Sequence, residues 1–403
     1  MKHFLKQILF LSWALPFIGF SQETTVDWKS GLTLQSKDAS FKMKIGGRIQ
    51  YDHAFYSQDN VLESAQGPLL TENGTKFRRA WLSNVGTLYN YVDFGLFVSF
   101  EGGKVGFRGA YMGLKKVPFL GNIRVGQLKE PLRLEVSTSS KHLLFLERSF
   151  AVDYVPIFNS GLLIYNDYLQ ERLSAQFGVF RNADLNKANN IEANGGYNIT
   201  QRITGLPFHN KASFLHVGGS YSFRKPSDHS LRIRSKPEAH VAEKHYIDTE
   251  LIENVHHSNL FNFEALYAWN AFSIQGEYLT THVKRLASSL EKNLRFSTYY
   301  IQASHCLTGE KRKYKSSLSG LHPIRPFRNF DGQHAYGALE IAAKYSTSDL
   351  NSHTLMGGEQ KDITLGLNWY LNPLTKVVLN QVWATIENQG KLRVFQVRFQ
   401  VAF

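Results

Sequence analysis

The last nine residues, Phe395-Gln-Val-Arg-Phe-Gln-Val-Ala-Phe403, alternate without a break. Phe395, Val397, Phe399, Val401 and Phe403 fall on one face of an extended strand, and Gln396, Arg398, Gln400 and Ala402 on the other, because successive side chains of a strand point to opposite sides. On a soluble edge strand, so continuous an apolar face invites pairing with other chains. On the wall of a transmembrane barrel it is at home, apolar toward lipid and polar toward a wet lumen. Soluble sandwiches also end on alternating strands, so the rest of the chain has to decide.

The amino terminus points to export. Lys2 and Lys6 precede an apolar run from Ile8 to Phe20, and Gly19 and Ser21 are small residues suited to a cut before Gln22. That order of basic start, short apolar middle and small-residue exit predicts a signal peptide over residues 1–21. The run is shorter than the ~20 residues of a spanning helix. The ending at Phe403 resembles the terminal strand by which bacterial outer-membrane barrels are recognised for insertion, which makes the barrel-assembly machinery an expected partner.

After Ser21 no run is apolar enough to span as a helix, and the mean hydropathy is −0.28. Barrel strands escape such scans because lumen residues interrupt the lipid-facing ones. The 29 Phe, 19 Tyr and 6 Trp suit an apolar band with aromatic girdles. The single Cys306 excludes an intrachain disulfide framework and any multi-cysteine zinc site. The net charge is +13, or +11 without Lys2 and Lys6. Such a balance fits nucleic acid, an anionic membrane surface or small anions, and export argues against nucleic acid.

Alternation recurs in Val92–Phe100 and Leu173–Val179, and no long segment repeats a helical period. Strands are expected to begin near Phe41, Lys76, Tyr91, Lys104, Gly121, Ile157, Gln170, Tyr197, Ala212, Leu260, Phe272, Leu294, Ala335, Asp362, Thr375 and Lys391. A further candidate near Ser230 contains Pro226, Pro237 and dense charge; with both chain ends on the periplasmic side it is assigned to an outer loop, 224–259. Sixteen strands remain. Tyr89-Asn90, Asn166-Asp167, Trp269-Asn270, Asn372-Pro373 and Gly102-Gly103 read as tight turns. Residues 22–40 form an amino-terminal segment without a clear motif, and 41–403 one domain.

The internal motifs come in a distinctive order. Gly47-Arg-Ile-Gln-Tyr51 is followed by Phe77-Arg-Arg-Ala80, Asp93-Phe-Gly and Ala110-Tyr-Met-Gly-Leu114. Arg124-Val-Gly-Gln-Leu-Lys-Glu-Pro131 then leads into Thr138-Ser-Ser-Lys141 and Phe145-Leu-Glu-Arg-Ser149. Leu307-Thr-Gly-Glu310, Ala338-Leu-Glu-Ile-Ala-Ala-Lys-Tyr-Ser346 and Tyr370-Leu-Asn-Pro373 complete the series. In that order, from about Phe41 to Phe403, the chain resembles the phosphate-selective porins of the outer membrane. The resemblance implies an all-β, 16-stranded antiparallel transmembrane β-barrel, a homotrimer, whose third loop, about 129–156, folds inward and narrows the pore. It implies passive diffusion of small anions, inorganic phosphate or similar, across the outer membrane of a Gram-negative bacterium, with no catalytic or metal site and no cofactor. Outer-membrane lipid is then a partner and nucleic acid is not.

Residues carry over only where motifs match. Arg79 and Lys129 are the first candidates to line the pore or bind the anion, then Arg48 on the first strand, and Arg133 and Lys141 on the loop. Arg79 could instead pair with a wall carboxylate, and Arg133 and Lys141 could be exposed loop charges. Arg78 points away from Arg79 if the strand is regular. Within residues 129–150, Glu130, Glu135 and Glu147 oppose Lys129, Arg133, Lys141 and Arg148, leaving that stretch at +1, so a weakly selective general pore also fits. Lys311-Arg-Lys-Tyr-Lys315 reads as an exit-side patch or a solvated turn. An outer-membrane lipase or protease and a non-conducting adhesive barrel remain as other classes; ion flux separates them from a channel.

Overall fold

A computed structural model of the chain describes residues 24–28, 31–182, 195–287, 289, 291–316, 318 and 320–403. The signal peptide expected at 1–21 lies outside them. A hairpin of β1 (Thr24–Trp28) and β2 (Leu32–Ser36) precedes the barrel. Then come β3 (Phe41–Gln58), β4 (Asn73–Leu88), β5 (Val92–Ser99), β6 (Gly106–Val117), β7 (Gly121–Lys129), β8 (Phe158–Tyr168), β9 (Leu173–Asn182), β10 (Tyr197–His209) and β11 (Ser213–Lys225). Between β3 and β4 lies a short helix, α1 (Asn60–Gln66), capped by the Asp59 side chain. Between β7 and β8 lies α2 (Leu134–Ser137). Two short strands, β12 (Arg234–Ser235) and β13 (Ile247–Asp248), pair with each other. The wall resumes with β14 (Val255–Trp269), β15 (Phe272–Arg285) and β16 (Asn293–Cys306). A second small pair, β17 (Tyr314–Ser316) and β18 (Gly320–Leu321), precedes β19 (Ala338–Ser352), β20 (Leu355–Asn372), β21 (Thr375–Ile386) and β22 (Gly390–Ala402).

Sixteen of these strands form one closed antiparallel barrel. Each pairs with the next, and β22 returns to β3 over the register Leu392↔Gln58 to Ala402↔Arg48. Closure leaves no barrel edge with unpaired amides and carbonyls, the condition for crossing hydrocarbon. Phe395, Phe399 and Val401 are exposed on the outer face, while Gln396, Arg398 and Gln400 are buried. The strand count and the assignment of the Ser230 region to a connection both agree with the sequence.

The chain ends are fastened together. The Gly47 amide donates to the Phe403 carbonyl at 2.7 Å and the Phe403 amide donates back to Gly47 at 3.1 Å. A Cβ on Gly47 would stand 2.8 Å from the Trp81 carbonyl oxygen and 2.9 Å from the Phe403 ring. That close approach accounts for glycine in the Gly-Arg-Ile-Gln-Tyr motif.

Two local expectations differ. Asn166-Asp167 is not the turn: β8 runs on through Tyr168, and Leu169, Gln170 and Glu171 take left-handed backbone. Asp167 is held in the strand by a hydrogen bond from Ser174 on β9. The basic run 311–315 is solvated only in part, with Lys311, Lys313 and Lys315 exposed. Arg312 is buried on Glu340 at 2.6 Å, and Tyr314 packs against Phe214 and His216. The connection 307–337, at the barrel end that carries the termini, also buries Leu321 and Ile324.

Candidate functional site

The inner face of the barrel seam carries one row of polar side chains across four strands. Lys376 on β21 is in register with Gln400 on β22, Gln400 with Gln50 on β3, and Gln50 with Arg79 on β4. Hydrogen bonds run along it: Gln50 Nε2 donates to Gln400 Oε1 at 2.5 Å, and Arg79 Nη1 donates to Gln50 Oε1 at 2.8 Å. One step toward the termini, Arg48 is in register with Ala402 and Trp81. Its guanidinium lies 4.6 Å from the Trp81 ring centroid and donates to Ser140 Oγ at 2.5 Å.

The pair Arg78-Arg79 is set by a β-bulge. Gln50 is opposite Arg79 but Tyr51 is opposite Phe77, so Arg78 is the extra residue. Both arginines therefore reach the inner side, while Phe77 stays exposed outside. Arg78 grips the Glu147 carboxylate through Nε at 2.7 Å and Nη2 at 3.0 Å. This corrects the expectation that Arg78 points away from Arg79, which assumed a regular strand.

The connection 130–157 touches this wall and the one across from it. Its carbonyls at Leu143, Leu144 and Leu146 accept from Lys376, Asn368 and Arg398 at 2.8, 2.9 and 2.6 Å. On the other side Glu277 of β15 accepts from the amides of Leu134 and Glu135 at 2.9 and 2.7 Å. Lys129 donates to the Val136 carbonyl at 2.8 Å, where a cation suits the exposed carbonyls ending α2. Arg148 donates to the carbonyls of Glu135 and Thr138, both at 2.9 Å.

Charges of the two signs are segregated here. Glu147 is held by Arg78 and Arg398, Glu130 by Arg224 at 2.7 Å, and Glu101 by Arg108 and Trp81. Burial would push the Glu147 carboxyl up, yet Arg78 and its other cationic neighbours outweigh burial and hold it well below the usual range. By contrast, Arg48, Arg79, Lys129, Lys141 and Lys376 form no ion pair with a carboxylate among the described residues. Lys141 is pulled down to about 8 by burial, then by Arg48, Lys44 and Lys315. Lys141, Lys376 and Gln400 line a cavity of about 50 Å³ toward the termini.

Four of the five sequence candidates thus share one neighbourhood: Arg48, Arg79, Lys129 and Lys141. Arg133 stands apart, its Nη2 on the Val155 carbonyl at 3.3 Å and Glu277, Glu130 and Glu135 as its charged neighbours. Sequence reasoning missed Lys376 and the inward turn of Arg78. Lys376 was legible in principle, since Val377, Leu379 and Trp383 mark the lipid-facing parity of β21. The bulge at Arg78 has no sequence signature.

A closed sixteen-stranded barrel, apolar outside and lined with hydrogen-bonded charge inside, defines an outer-membrane porin of a Gram-negative bacterium. The chain belongs to the family described as phosphate-selective porin O and P, which it matches over residues 43–403. It is 23% identical over 387 residues to Porin O of Pseudomonas aeruginosa, covering 88% of this chain and 85% of that one. Among solved structures it is similar to the anion-selective porin from Comamonas acidovorans, at 14% identity and a TM-score of 0.55, covering 90% of this chain and 100% of the other. It is also similar to the trimer form of OmpT, an outer membrane protein of Vibrio cholerae, at 9% identity and a TM-score of 0.56, with coverage of 90% and 100%. At those identities the two structures speak for the fold alone.

Proposed function

We propose that this porin is an anion-selective passive channel whose path follows the cationic wall of Arg48, Arg79, Lys129, Lys141 and Lys376, with phosphate-like solutes as its ligands. The observation that carries the reading is the segregation of charge: Glu130, Glu135 and Glu147 are engaged by cations or hydrogen-bond donors, while Arg48, Arg79, Lys129 and Lys376 meet neutral acceptors and Lys141 forms no ion pair with a carboxylate among the described residues. A buried cation without a carboxylate is costly to hold, and a visiting anion offsets that cost. Neutral acceptors keep each site weak, so that an ion that enters can leave. Arg48 and Arg79 offer planar forks, and Lys141 and Lys376 compact charges.

The contacts of residues 130–157 with both walls support reading that segment as the constriction. The connection 307–337 narrows the path below it, since His142 meets the Leu321 carbonyl at 3.2 Å. The family of phosphate-selective porins O and P, shared with Porin O of Pseudomonas, supports anion selectivity. The homotrimer that the family resemblance implies is part of the proposal. The family also favours a channel over the lipase, protease or adhesive alternatives. Export through a signal peptide at 1–21 and insertion through the strand ending at Phe403 complete the proposal.

The test is the zero-current potential of single channels in a planar bilayer under a tenfold potassium chloride gradient. The proposal expects the sign set by chloride and a saturable reduction of current by added phosphate. A cation-selective potential would overturn it.

A further inference from the structure

We propose that the outer face of β14–β16, at the rim remote from the chain termini, is a built site for phosphate groups, occupied by the headgroup of an anionic outer-leaflet glycolipid. The proposal rests on the outer-membrane placement of the barrel and not on the channel's selectivity. Lower on these strands the outward face is apolar: Phe261, Phe263, Tyr299 and Ile301 are all exposed. Toward the rim it changes character within two residues per strand. One row across the three strands is Asn259, His282, Arg295, and the next is His257, Lys284, Asn293. Directly paired residues stand about 5 Å apart at Cβ, so the cations and imidazoles form one continuous patch.

The patch is concave. Together with His353 from the turn between β19 and β20, these side chains line a groove of about 220 Å³ floored by Val283 and Leu294. No carboxylate among the described residues lines it. Glu291, beside His353, is occupied by the Thr354 amide and hydroxyl at 2.8 and 2.7 Å. Arg295 donates through Nε to Thr280 Oγ1 at 3.4 Å and through Nη2 to the Tyr278 hydroxyl at 3.3 Å, and forms no ion pair among the described residues, which leaves its Nη1 side to meet an oxyanion. Lys284 adds a point charge one row away. Bacterial barrels keep both termini on the periplasmic side, so this rim lies in the outer leaflet. A glycolipid seated here would run its acyl chains down the Phe261–Ile301 band with its phosphate in the groove.

The experiment is native mass spectrometry of the purified protein in detergent, titrated with bis-phosphorylated lipid A, with the same lipid after phosphate removal, and with lipid A in the presence of inorganic phosphate. Saturable binding of the phosphorylated lipid is expected, weakened roughly tenfold or more by the K284Q/R295Q double variant. Competition by inorganic phosphate would show that the groove also takes free phosphate; absence of competition would restrict it to the lipid. Both side chains are exposed, so folding of the variant is checked by its heat-dependent migration on gels, and the single variants K284Q and R295Q are read alongside. Equal binding of the dephosphorylated lipid, or unchanged binding by the folded variants, would overturn the proposal.

Discussion

Arg79 is among the most deeply buried cations of the seam, yet its Nη1 finds an amide oxygen rather than a carboxylate. A charge-assisted contact contributes about 1.5–3 kcal/mol, so removing one cation of an anion path is expected to weaken phosphate block by roughly tenfold or more. Arg79→Gln and Lys376→Gln should each do so with the open-channel conductance retained, measured as the phosphate concentration that halves the current. Arg78→Gln should behave differently. It removes the two-pronged partner of Glu147, and its effect should fall on stability. Glu147 sits well below the ordinary carboxylate range, so its contribution is present at neutral pH and lost only as pH falls well below that range. With Arg78 gone, acid unfolding should begin at higher pH, read from tryptophan fluorescence. Lys141 supplies a pH signature of its own. Because it loses its proton near pH 8, anion preference in potassium chloride should decline between about pH 7 and pH 9, and Lys141→Gln should lessen that decline. A pH-independent preference in wild type would remove Lys141 from the path.

At the scale of elements, the connection 130–157 is held at its ends by different chemistry. Glu277 accepts from two amides at the start of α2, with the Tyr300 hydroxyl also donating to it at 2.6 Å. Glu277→Ala would leave both amides buried and unpaired, at about 1–3 kcal/mol each. The expected outcome is a noisier, larger single-channel current, because the segment loses its anchor on one wall. An unchanged current would mean that the carbonyl contacts of Lys376, Asn368 and Arg398 suffice alone. Much of the fold was legible at this scale. Most strand starts follow from period-two alternation, although β14 begins at Val255 and not near Leu260, and β20 at Leu355 and not near Asp362; Trp269-Asn270 and Tyr89-Asn90 are turns because Asn tolerates the left-handed backbone found there. What was not legible depends on contacts far apart in sequence. The bulge that brings Arg78 inward shows only in pairing with β3, and the burial of Arg312 only in its pairing with Glu340. Likewise the sum of +1 over residues 129–150 hid the segregation of their charges, because Glu130 and Glu147 are met by Arg224 and Arg398 from distant strands.

At the scale of the whole molecule, the barrel closes on itself through β22 and β3, and the connections 130–157 and 307–337 meet where His142 contacts the Leu321 carbonyl. The seam that closes the barrel carries Gln400, Gln50 and Arg79 in one row, so a strand that failed to close would also fail to assemble the proposed path. The central claim is that cations lacking carboxylate partners, and not the total positive charge, select the anion. The most direct measurement compares phosphate block of single-channel chloride current in wild type, Arg79→Gln and Arg224→Gln. Each variant removes one positive charge, but Arg224 is spent on Glu130. The account predicts block weakened roughly tenfold by Arg79→Gln and little changed by Arg224→Gln. Equal weakening by the two, or none by either, would contradict it.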